Sequence, residues 1–330
     1  MRHRFISALV LAVLVLVAIP AAAQARKPHG VTPTVCNGSK ALCSRSLDQV
    51  VLPGSHNSMS SQELGFALPN QTLTIPGQLD YGVRALLLDT YYGRLQADGT
   101  VLTDDDGNIQ TGTRGTYLCH VVCEIGASPL SPVLRQIRKW LRANPQEVIL
   151  IENEDYISNE DLVAAMTKSG LIDYVYKGPR SPWPTLGKMI KKGRRVVMLA
   201  DNDKAIDPAW YRPTYEGLMQ ETPYTFNPPS KLTDPANWAA SCAPNRGGLS
   251  GSLFLMNHWS PSTAPPVPDP AQSAAVNATD VIEGRATKCA EIRGRYPNIV
   301  AADQVTFGGL LEAVKKLNAL PADVIRPPGT

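Results

Sequence analysis

Short apolar runs rich in β-branched residues recur along the chain, and helical segments separate several of them. The clear runs span residues 48–53, 83–92, 116–121, 147–155, 194–203, 252–259 and 298–305. This alternation is typical of parallel strands that are buried on both faces and joined by crossover helices. An eight-stranded barrel would need one more strand, for which residues 217–224 are a weak candidate. The pattern therefore predicts an α/β fold with a parallel sheet.

Two of the intervening segments carry clear helix signals. The first, residues 128–145, places its apolar side chains on one face at helical spacing and ends at Asn144 and Pro145. In the second, residues 158–171, Ser158 is a candidate N-cap with Asp161 three residues on, and Gly170 closes the helix. The apolar face predicted for the first helix consists of Leu130, Val133, Leu134, Ile137 and Leu141.

Residues 93–115 depart from the barrel pattern. They are rich in Gly, Thr and Asp, and we predict a β-hairpin where a barrel helix would normally stand. The acidic cluster at 104–106 lacks the spacing and the closing glutamate of a calcium loop, so a solvated turn is expected. The Pro-rich stretch 261–270 is predicted to be a long loop, because a strand precedes it and helix and strand patterns follow. With no internal repeat, residues 26–330 are expected to form a single domain.

The first 25 residues have the features of a secretory signal peptide. Arg2 and Arg4 precede an apolar stretch that Pro20 interrupts, and Ala23 to Ala25 offers small residues for cleavage. A transmembrane anchor is the alternative, but the proline and the lack of a charged stop-transfer flank disfavour it. We therefore expect cleavage near Ala25 and a secreted, extracellular protein.

The charge of the chain argues against a nucleic-acid partner. The formal net charge is only +3, and loss of Arg2 and Arg4 with the signal peptide would reduce it to about +1. A nucleic-acid-binding protein would show a basic patch or a strongly positive domain. We therefore expect that the protein does not bind nucleic acid. We also expect it to be a monomer.

All six cysteines lie beyond the predicted signal peptide, and an even number is expected for disulfides in an oxidising compartment. Six cysteines allow 15 pairings. Local spacing favours the pairs Cys36 with Cys43, Cys119 with Cys123, and Cys242 with Cys289. A zinc site is the alternative, but no two cysteines have the C-x2-C spacing that such sites commonly use.

Polar side chains collect where the apolar runs stop. In a parallel barrel the carboxyl ends of the strands share one face, where loops assemble active sites. Buried carboxylates and imidazoles are unfavourable unless they pair or bind a ligand, so their convergence indicates a common partner. The residues at these ends are His56, Asn57, Asp89, His120, Glu152, Asn153, Glu154, Asp155, Asp201, Asn202, Asp203, Asn257, His258 and Asp303.

This set of residue types suits phosphoryl transfer. One imidazole can stabilise or deprotonate, a second can protonate a leaving oxygen, and carboxylates can hold a divalent cation. Hard oxygen ligands such as Asn57, Asp89 and Glu152 or Glu154 favour calcium or magnesium over zinc. A single histidine at a strand end is more often structural, and the arrangement over successive strands is what favours a site.

Four segments in order make the resemblance specific: "LPGSHNS", "QLDYGVRALLLDTYYG", "YLCH" and "NPQEVILIENEDY". They resemble the successive motifs of the phosphatidylinositol-specific phospholipase C X-domain family, in particular its secreted members that have only this domain. The later segments "KGRRVV" and "PNIVAAD" agree, so the resemblance covers roughly residues 48–308. It implies a distorted TIM (β/α)8 barrel that cleaves inositol phospholipids at a membrane surface.

The resemblance also implies roles for two histidines. In that family the inositol 2-hydroxyl attacks phosphorus, which gives a cyclic inositol phosphate and releases diacylglycerol. His56 matches the first catalytic histidine, which contacts the phosphoryl oxygens and can act as base. His120 matches the general acid that protonates the departing glycerol oxygen.

The metal requirement follows from the same resemblance. Metal-free members place an arginine where calcium-dependent members use Asn and carboxylate ligands. Asn57 and Asp89 fit the calcium-dependent pattern, with Glu152 or Glu154 as a further ligand, so Ca2+ is expected and Mg2+ is the alternative. One departure is Leu87, since calcium-dependent animal relatives carry an acid at that position. Either another acid substitutes for it or activity is low.

Two other functions stay open. A glycerophosphodiester phosphodiesterase shares the barrel, the metal and the two histidines, but usually has His-Arg where this chain has His56-Asn57. A weakly active or inactive lipid- or sugar-binding module would be consistent with Leu87. For the membrane contact, Trp183, Trp210 and Trp259 are candidates to insert at the interface, although core packing explains a tryptophan equally well. Arg84, at the start of its strand, is expected to form a structural salt bridge.

Overall fold

The computed structural model of the chain describes residues 30–201, 209–261 and 268–327. The predicted signal peptide, most of the Pro-rich loop, and Asn202 and Asp203 lie outside the described residues. Within these three ranges, none of the helices has the length and apolarity needed to cross a bilayer.

A curled sheet forms the centre of the described chain. Its strands are β1 (Leu52–Ser55), β2 (Ala85–Leu95), β3 (Val101–Thr103), β4 (Thr113–His120), β5 (Val122–Pro129), β6 (Ile149–Asp155), β7 (Val196–Ala200), β8 (Tyr211–Pro213), β9 (Met219–Glu221), β10 (Leu253–Asn257) and β11 (Ile299–Ala302).

Eight of these strands form a parallel path in the order β8-β7-β6-β2-β1-β11-β10-β9. No strand ladder joins β8 to β9 in the described residues, so the curled sheet stays open between these two strands. The predicted distorted (β/α)8 barrel is confirmed. The weakly marked run at 217–224 does supply a barrel strand, β9.

The prediction was wrong for the run at 116–121. This segment lies in β4, which pairs antiparallel with β2 and β5 instead of joining the parallel path. The hairpin predicted at 93–115 is confirmed, because the end of β2 folds back through β3 and β4. A crossover helix then follows the hairpin, so the hairpin adds to the barrel helix rather than replacing it.

The helices are α1 (Ile75–Tyr81), α2 (Leu130–Ala143), α3 (Asn159–Ser169), α4 (Leu186–Lys191), α5 (Ser230–Thr233), α6 (Trp238–Ser241), α7 (Pro270–Val276), α8 (Thr279–Arg293), α9 (Leu310–Ala319) and α10 (Ala322–Ile325). Short 3-10 turns occupy Lys40–Ser44, Leu47–Gln49, Gln62–Leu64, Leu171–Tyr174 and Pro235–Asn237. The predicted apolar face of α2 is buried, and Ser158 caps α3 by accepting from the Asp161 amide at 3.2 Å. Both helix predictions are confirmed.

Alternation along the strands divides the apolar core in two. On β2, Leu86 and Leu88 face one core cluster with the helices, whereas Ala85 and Leu87 belong to a second cluster. Since side chains alternate between the two faces of a strand, the second cluster fills the barrel interior. Asp89 shares the parity of Leu87 and therefore points to the interior as well. The strand pattern thus aims polar residues at the carboxyl end of the barrel.

Three disulfides are present, and they are the pairs favoured by spacing: Cys36–Cys43, Cys119–Cys123 and Cys242–Cys289. Arg84 forms the expected structural salt bridge, with Nε donating to Glu147 at 2.8 Å. The turn at 104–106 is only partly solvated. Asp104 is buried and accepts from Arg94 at 2.7 Å, so its carboxylate ties the hairpin together.

Candidate active site

A cavity of about 380 Å³ opens at the carboxyl ends of the barrel strands. It is formed by side chains from most of the parallel strands and from the end of β4. All six residues predicted for the site line this one cavity: His56, Asn57, Asp89, His120, Glu152 and Glu154.

His56 lies directly after β1 and is held on two sides. Its Nδ1 forms a hydrogen bond of 2.9 Å with Oδ1 of Asp303, which follows β11 and is buried. Its ring stacks on Trp259, with centroids 3.7 Å apart and planes inclined by 6°. A carboxylate at Nδ1 favours a proton on that nitrogen, which leaves Nε2 to act on a ligand. The ring orientation is therefore fixed before any ligand binds.

The backbone around His56 is braced as well. Gln71 donates from Nε2 to the carbonyls of His56 at 2.7 Å and Ala302 at 3.0 Å. Asn57 has a positive φ of 44°, a conformation that Asn adopts more readily than most residues. This turn aims the neighbouring side chains of His56 and Asn57 into the same cavity.

His120 is the last residue of β4, which is not one of the parallel barrel strands but pairs antiparallel with β2. Its side chain lines the cavity. Burial lowers the pKa of His120 to about 4, and the positive charge of nearby His56 acts in the same direction. Asp303 opposes this shift to a smaller extent. In contrast to His56, the Nδ1 atom of His120 is buried without a hydrogen-bond partner in the described chain. At neutral pH the free protein therefore holds this imidazole uncharged.

Strand register places the acidic residues side by side. Asp89 on β2 pairs with Glu154 on β6, and Leu87 pairs with Glu152. Burial raises the pKa of Asp89 well above its usual range, and the charges of Glu154 and Asp201 raise it further. Both Glu152 and Glu154 line the cavity, so strand geometry does not choose between the two candidate ligands.

A second acidic group in the cavity, Asp201 with Glu221, is paired with a cation, Arg246. Arg246 binds both oxygens of Asp201 at 2.7 and 2.9 Å and also Glu221 at 2.7 Å. Burial raises the pKa of Glu152 well above its usual range, and Asp201 beside it adds to the shift. Arg246 thus pairs with Asp201 and Glu221, whereas the pKa of Glu152 stays raised although the charge of Arg246 opposes the shift.

The donor types of the predicted metal ligands fit calcium, which prefers carboxylate and amide oxygens. Burial, Glu154 and Asp201 together raise the pKa of Asp89, so this carboxylate is placed where a bound cation would stabilise its charged form. In this conformation, however, the described chain has no group of three or more His, Cys, Asp or Glu side chains arranged to hold a metal ion. The calcium site therefore stays a prediction that rests on donor chemistry and on the raised pKa of Asp89.

The expectation for His258 was wrong, and for two of the tryptophans the alternative of core packing is the correct one. His258 does not face the cavity: it is fully buried, with Nε2 bonded to the Val276 carbonyl at 2.8 Å and Nδ1 3.0 Å from Arg285. It is a structural residue. Trp183 and Trp210 are buried, so they are not exposed membrane anchors.

The sequence did not assign roles to several residues in and next to the cavity: Asp201 and Arg246 line it, whereas Asp303 is buried behind His56. Asp303 and Asp201 were visible as polar strand ends, and their position after a strand was the available signal. Arg246 lies in an irregular segment before β10, where no periodic pattern marks it. Tyr215 and Tyr224 pack against its guanidinium, at 4.1 and 5.5 Å from their ring centroids.

The fold and the cavity define a distorted (β/α)8-barrel protein with two histidines and several carboxylates at the carboxyl ends of its strands. The family model for the PI-PLC X domain, described as PI-PLC X 1, matches residues 42–318. The chain belongs to the PI-PLC X domain family, as the resemblance implied.

Curated relatives and solved structures agree with this assignment. The PI-PLC X domain-containing protein 1 of Arthroderma benhamiae is 28% identical over 97% of this chain and 98% of its own length. A protein of the same fungus named an uncharacterized secreted protein is 26% identical over 89% of this chain and 65% of its own length. The phosphatidylinositol-specific phospholipase C of Listeria monocytogenes shares the fold, with a TM-score of 0.51, 19% identity, and coverage of 84% and 94% of the two chains.

Proposed function

We propose that this protein is a secreted phosphoric diester hydrolase of the phospholipase C type, which cleaves phosphatidylinositol-type lipids to diacylglycerol and a cyclic inositol phosphate. The observation that carries the proposal is the placement of His56, fixed by Asp303, in the same cavity as His120 and a row of carboxylates. With a phosphodiester between the two imidazoles, one imidazole could take the proton of the attacking hydroxyl and the other could protonate the leaving oxygen.

In the proposed reaction, the attacking and the leaving oxygen atoms both belong to the substrate. The 2-hydroxyl oxygen of inositol forms a bond to phosphorus, the bond from phosphorus to the glycerol oxygen breaks, and no water is consumed in this step. His56 takes the proton of the 2-hydroxyl, and Asp303 stabilises the imidazolium that forms. His120 delivers a proton to the glycerol oxygen, which leaves as diacylglycerol.

A bound Ca2+ would supply positive charge to the phosphoryl oxygens and to the attacking hydroxyl. Asn57, Asp89 and Glu152 or Glu154 would hold it, and Mg2+ is the alternative. The observation in favour is that burial and neighbouring carboxylates already raise the pKa of Asp89, so a cation there would relieve an unfavourable interaction.

The proposal includes an extracellular location and contact with a membrane surface. Three disulfides and a relative named as secreted support an extracellular protein. For contact with a lipid surface, the apolar groups at the cavity mouth are Val121, Tyr156 and Tyr224, which are 63%, 41% and 48% exposed. These residues replace Trp183 and Trp210 as the candidates for transient, peripheral membrane contact.

The test is hydrolysis of lipids with different headgroups, with and without a calcium chelator, while cyclic inositol phosphate is followed by phosphorus NMR. His56→Ala and His120→Ala should each lose at least about 100-fold in rate. Lys315→Ala, an exposed position on α9, is the control. Full activity in either histidine variant would contradict the proposal. Cleavage of glycerophosphoinositol but not of the lipid would favour the glycerophosphodiesterase alternative.

A second function, binding of a lipid or sugar without catalysis, is favoured by the presence of an apolar residue, Leu87, in the cavity. Leu87 lines the cavity opposite Glu152, where calcium-dependent animal relatives are expected to have an acid. Calorimetry separates the two functions. A module with a decayed site should bind phosphatidylinositol vesicles without binding calcium, whereas the enzyme should bind both.

A further inference from the structure

His120 lies inside a very small covalent ring. Cys119 and Cys123 form a disulfide over a sequence separation of four, and the ring encloses His120, Val121 and Val122. The two sulfur atoms belong to a buried cluster with Tyr91, Val101 and Tyr117, and the cysteines are 0% and 2% exposed. One end of the ring is therefore anchored in packed structure, and the other carries the imidazole.

Among the described residues, the side chain of His120 has no anchor comparable to that of His56. His56 is fixed by the carboxylate of Asp303 and by stacking on Trp259. The Nδ1 atom of His120 is buried without a partner in the described chain. Its orientation must therefore come from the backbone that carries it.

That backbone is constrained in two ways. Val121 has a φ of +64°, a left-handed conformation that is rare and unfavourable for a β-branched residue. The β4–β5 ladder shifts register between Cys119 and His120, which re-aims the side chain that follows. Such a turn persists only where the surrounding structure enforces it, and the disulfide closes the turn at its base.

We propose that the Cys119–Cys123 disulfide positions His120 in the cavity and does for this imidazole what Asp303 does for His56. The inference rests on the proposed function for its effect on rate, although the geometric claim does not depend on activity. Opening the ring should let Val121 leave the left-handed region and should let the imidazole rotate away from the phosphate. The two cysteines are positioning residues and take no part in the reaction.

The experiment compares two disulfide deletions in the full chain. Cys119→Ala with Cys123→Ala opens the ring around His120, and Cys36→Ala with Cys43→Ala opens another small ring at the amino end of the barrel. We expect the first variant to lose about 10- to 100-fold in kcat with KM changed less than threefold. The second should keep both constants within threefold. Equal kcat values in the two folded variants would overturn the proposal.

A second readout separates this proposal from the proposed function. NMR titration of the His120 imidazole should give a pKa near 4 in the wild type and a value closer to its ordinary range once the ring is opened. The Cys36 and Cys43 variant should leave the His120 titration unchanged. If the wild type shows no lipid hydrolysis but the titration shifts as expected, the function fails and the positioning role stands. An unchanged titration overturns the positioning role itself.

Insertion of one glycine after Val121 covers the case in which the double alanine variant does not fold. The insertion keeps both cysteines and their packing but widens the ring by one residue. We expect the same loss in kcat and the same change in the His120 titration. Wild-type values for both in this variant would overturn the proposal.

Discussion

Binding of an inositol phosphate should raise the pKa of His120 by about three pH units. In the free protein, burial and the charge of His56 lower that pKa to about 4. At pH 7, then, only on the order of one molecule in 1,000 carries the proton that a general acid needs. The proposed role of His120 therefore requires that the substrate itself restores the proton affinity.

The size of this effect follows from electrostatics. A phosphate monoanion about 4 Å from the imidazolium stabilises it by about 4 kcal/mol at an effective dielectric constant of about 20. Because about 1.4 kcal/mol corresponds to one pH unit, the pKa of His120 should reach about 7 in the complex. The kcat/KM profile, which reports the free protein, should show an ionisation near 4, and the kcat profile should show it near 7.

NMR titration of the histidine side chains with saturating cyclic inositol phosphate, which is a monoanion as in the calculation, checks this shift in the presence of a chelator. His258 is an internal control, because it is buried outside the cavity with a pKa lowered to about 3 by burial and by the charge of Arg285. Its titration should not move. A His120 pKa near 6.5 in the free protein, or a value that inositol phosphate leaves unchanged, would refute the reasoning.

Four further outcomes are expected. Asp303→Asn should lower kcat by about 10- to 100-fold, since a charge-assisted hydrogen bond is worth roughly 1.5–3 kcal/mol, as steady-state kinetics would show. The folded pKa of His258 is lowered to about 3, so its contribution to stability is complete above pH 6.5 and falls by roughly 5 kcal/mol as the pH falls to 3. Denaturant unfolding across this range measures the loss, and His258→Gln should have a smaller pH slope than the wild type, with the part due to His120 remaining. Loss of Cys242–Cys289, with its sequence separation of 47, should lower the free energy of unfolding by about 4 kcal/mol, against about 2 for the ring around His120, by chain entropy. Asp201 acts on two predicted calcium ligands, Asp89 and Glu152, so Asp201→Asn should weaken calcium binding at least tenfold in calorimetry. An unchanged calcium affinity would exclude Asp201 from the metal site.

The parallel barrel could be predicted because its strands are buried on both faces. That burial requires continuous apolar runs, and each run ends where the chain reaches polar residues at the carboxyl face. Two of the disulfide pairs could also be predicted from local sequence. Cys36 and Cys43, and likewise Cys119 and Cys123, are so close in the chain that each cysteine lies near its partner in almost any fold. Features that depend on residues close together in the chain, such as these apolar runs and cysteine pairs, can therefore be predicted from a single sequence.

Other features depend on the three-dimensional arrangement and left no local signal. An antiparallel strand such as β4 has the same apolar run as a parallel one, so the sequence did not reveal its direction. His258 and Asn257 are neighbours at one strand end, yet alternation sends Asn257 into the cavity and His258 into the helices behind it. Arg246 lies in an irregular segment, and only the folded chain shows that it pairs with Asp201 and Glu221.

The cavity also bears on the missing acid at Leu87. Asp201 raises the pKa of both Asp89 and Glu152, so its carboxylate acts on each of two predicted ligands. Because its charge acts on both residues, Asp201 is placed to supply the negative charge that Leu87, on the same strand as Asp89, does not provide, and we infer that Asp201 takes this part. Its bond to Arg246 would then compete with calcium, because one carboxylate would have to serve two cations. That competition predicts a calcium affinity that increases when Arg246 is shortened to lysine, even though the substitution keeps the charge.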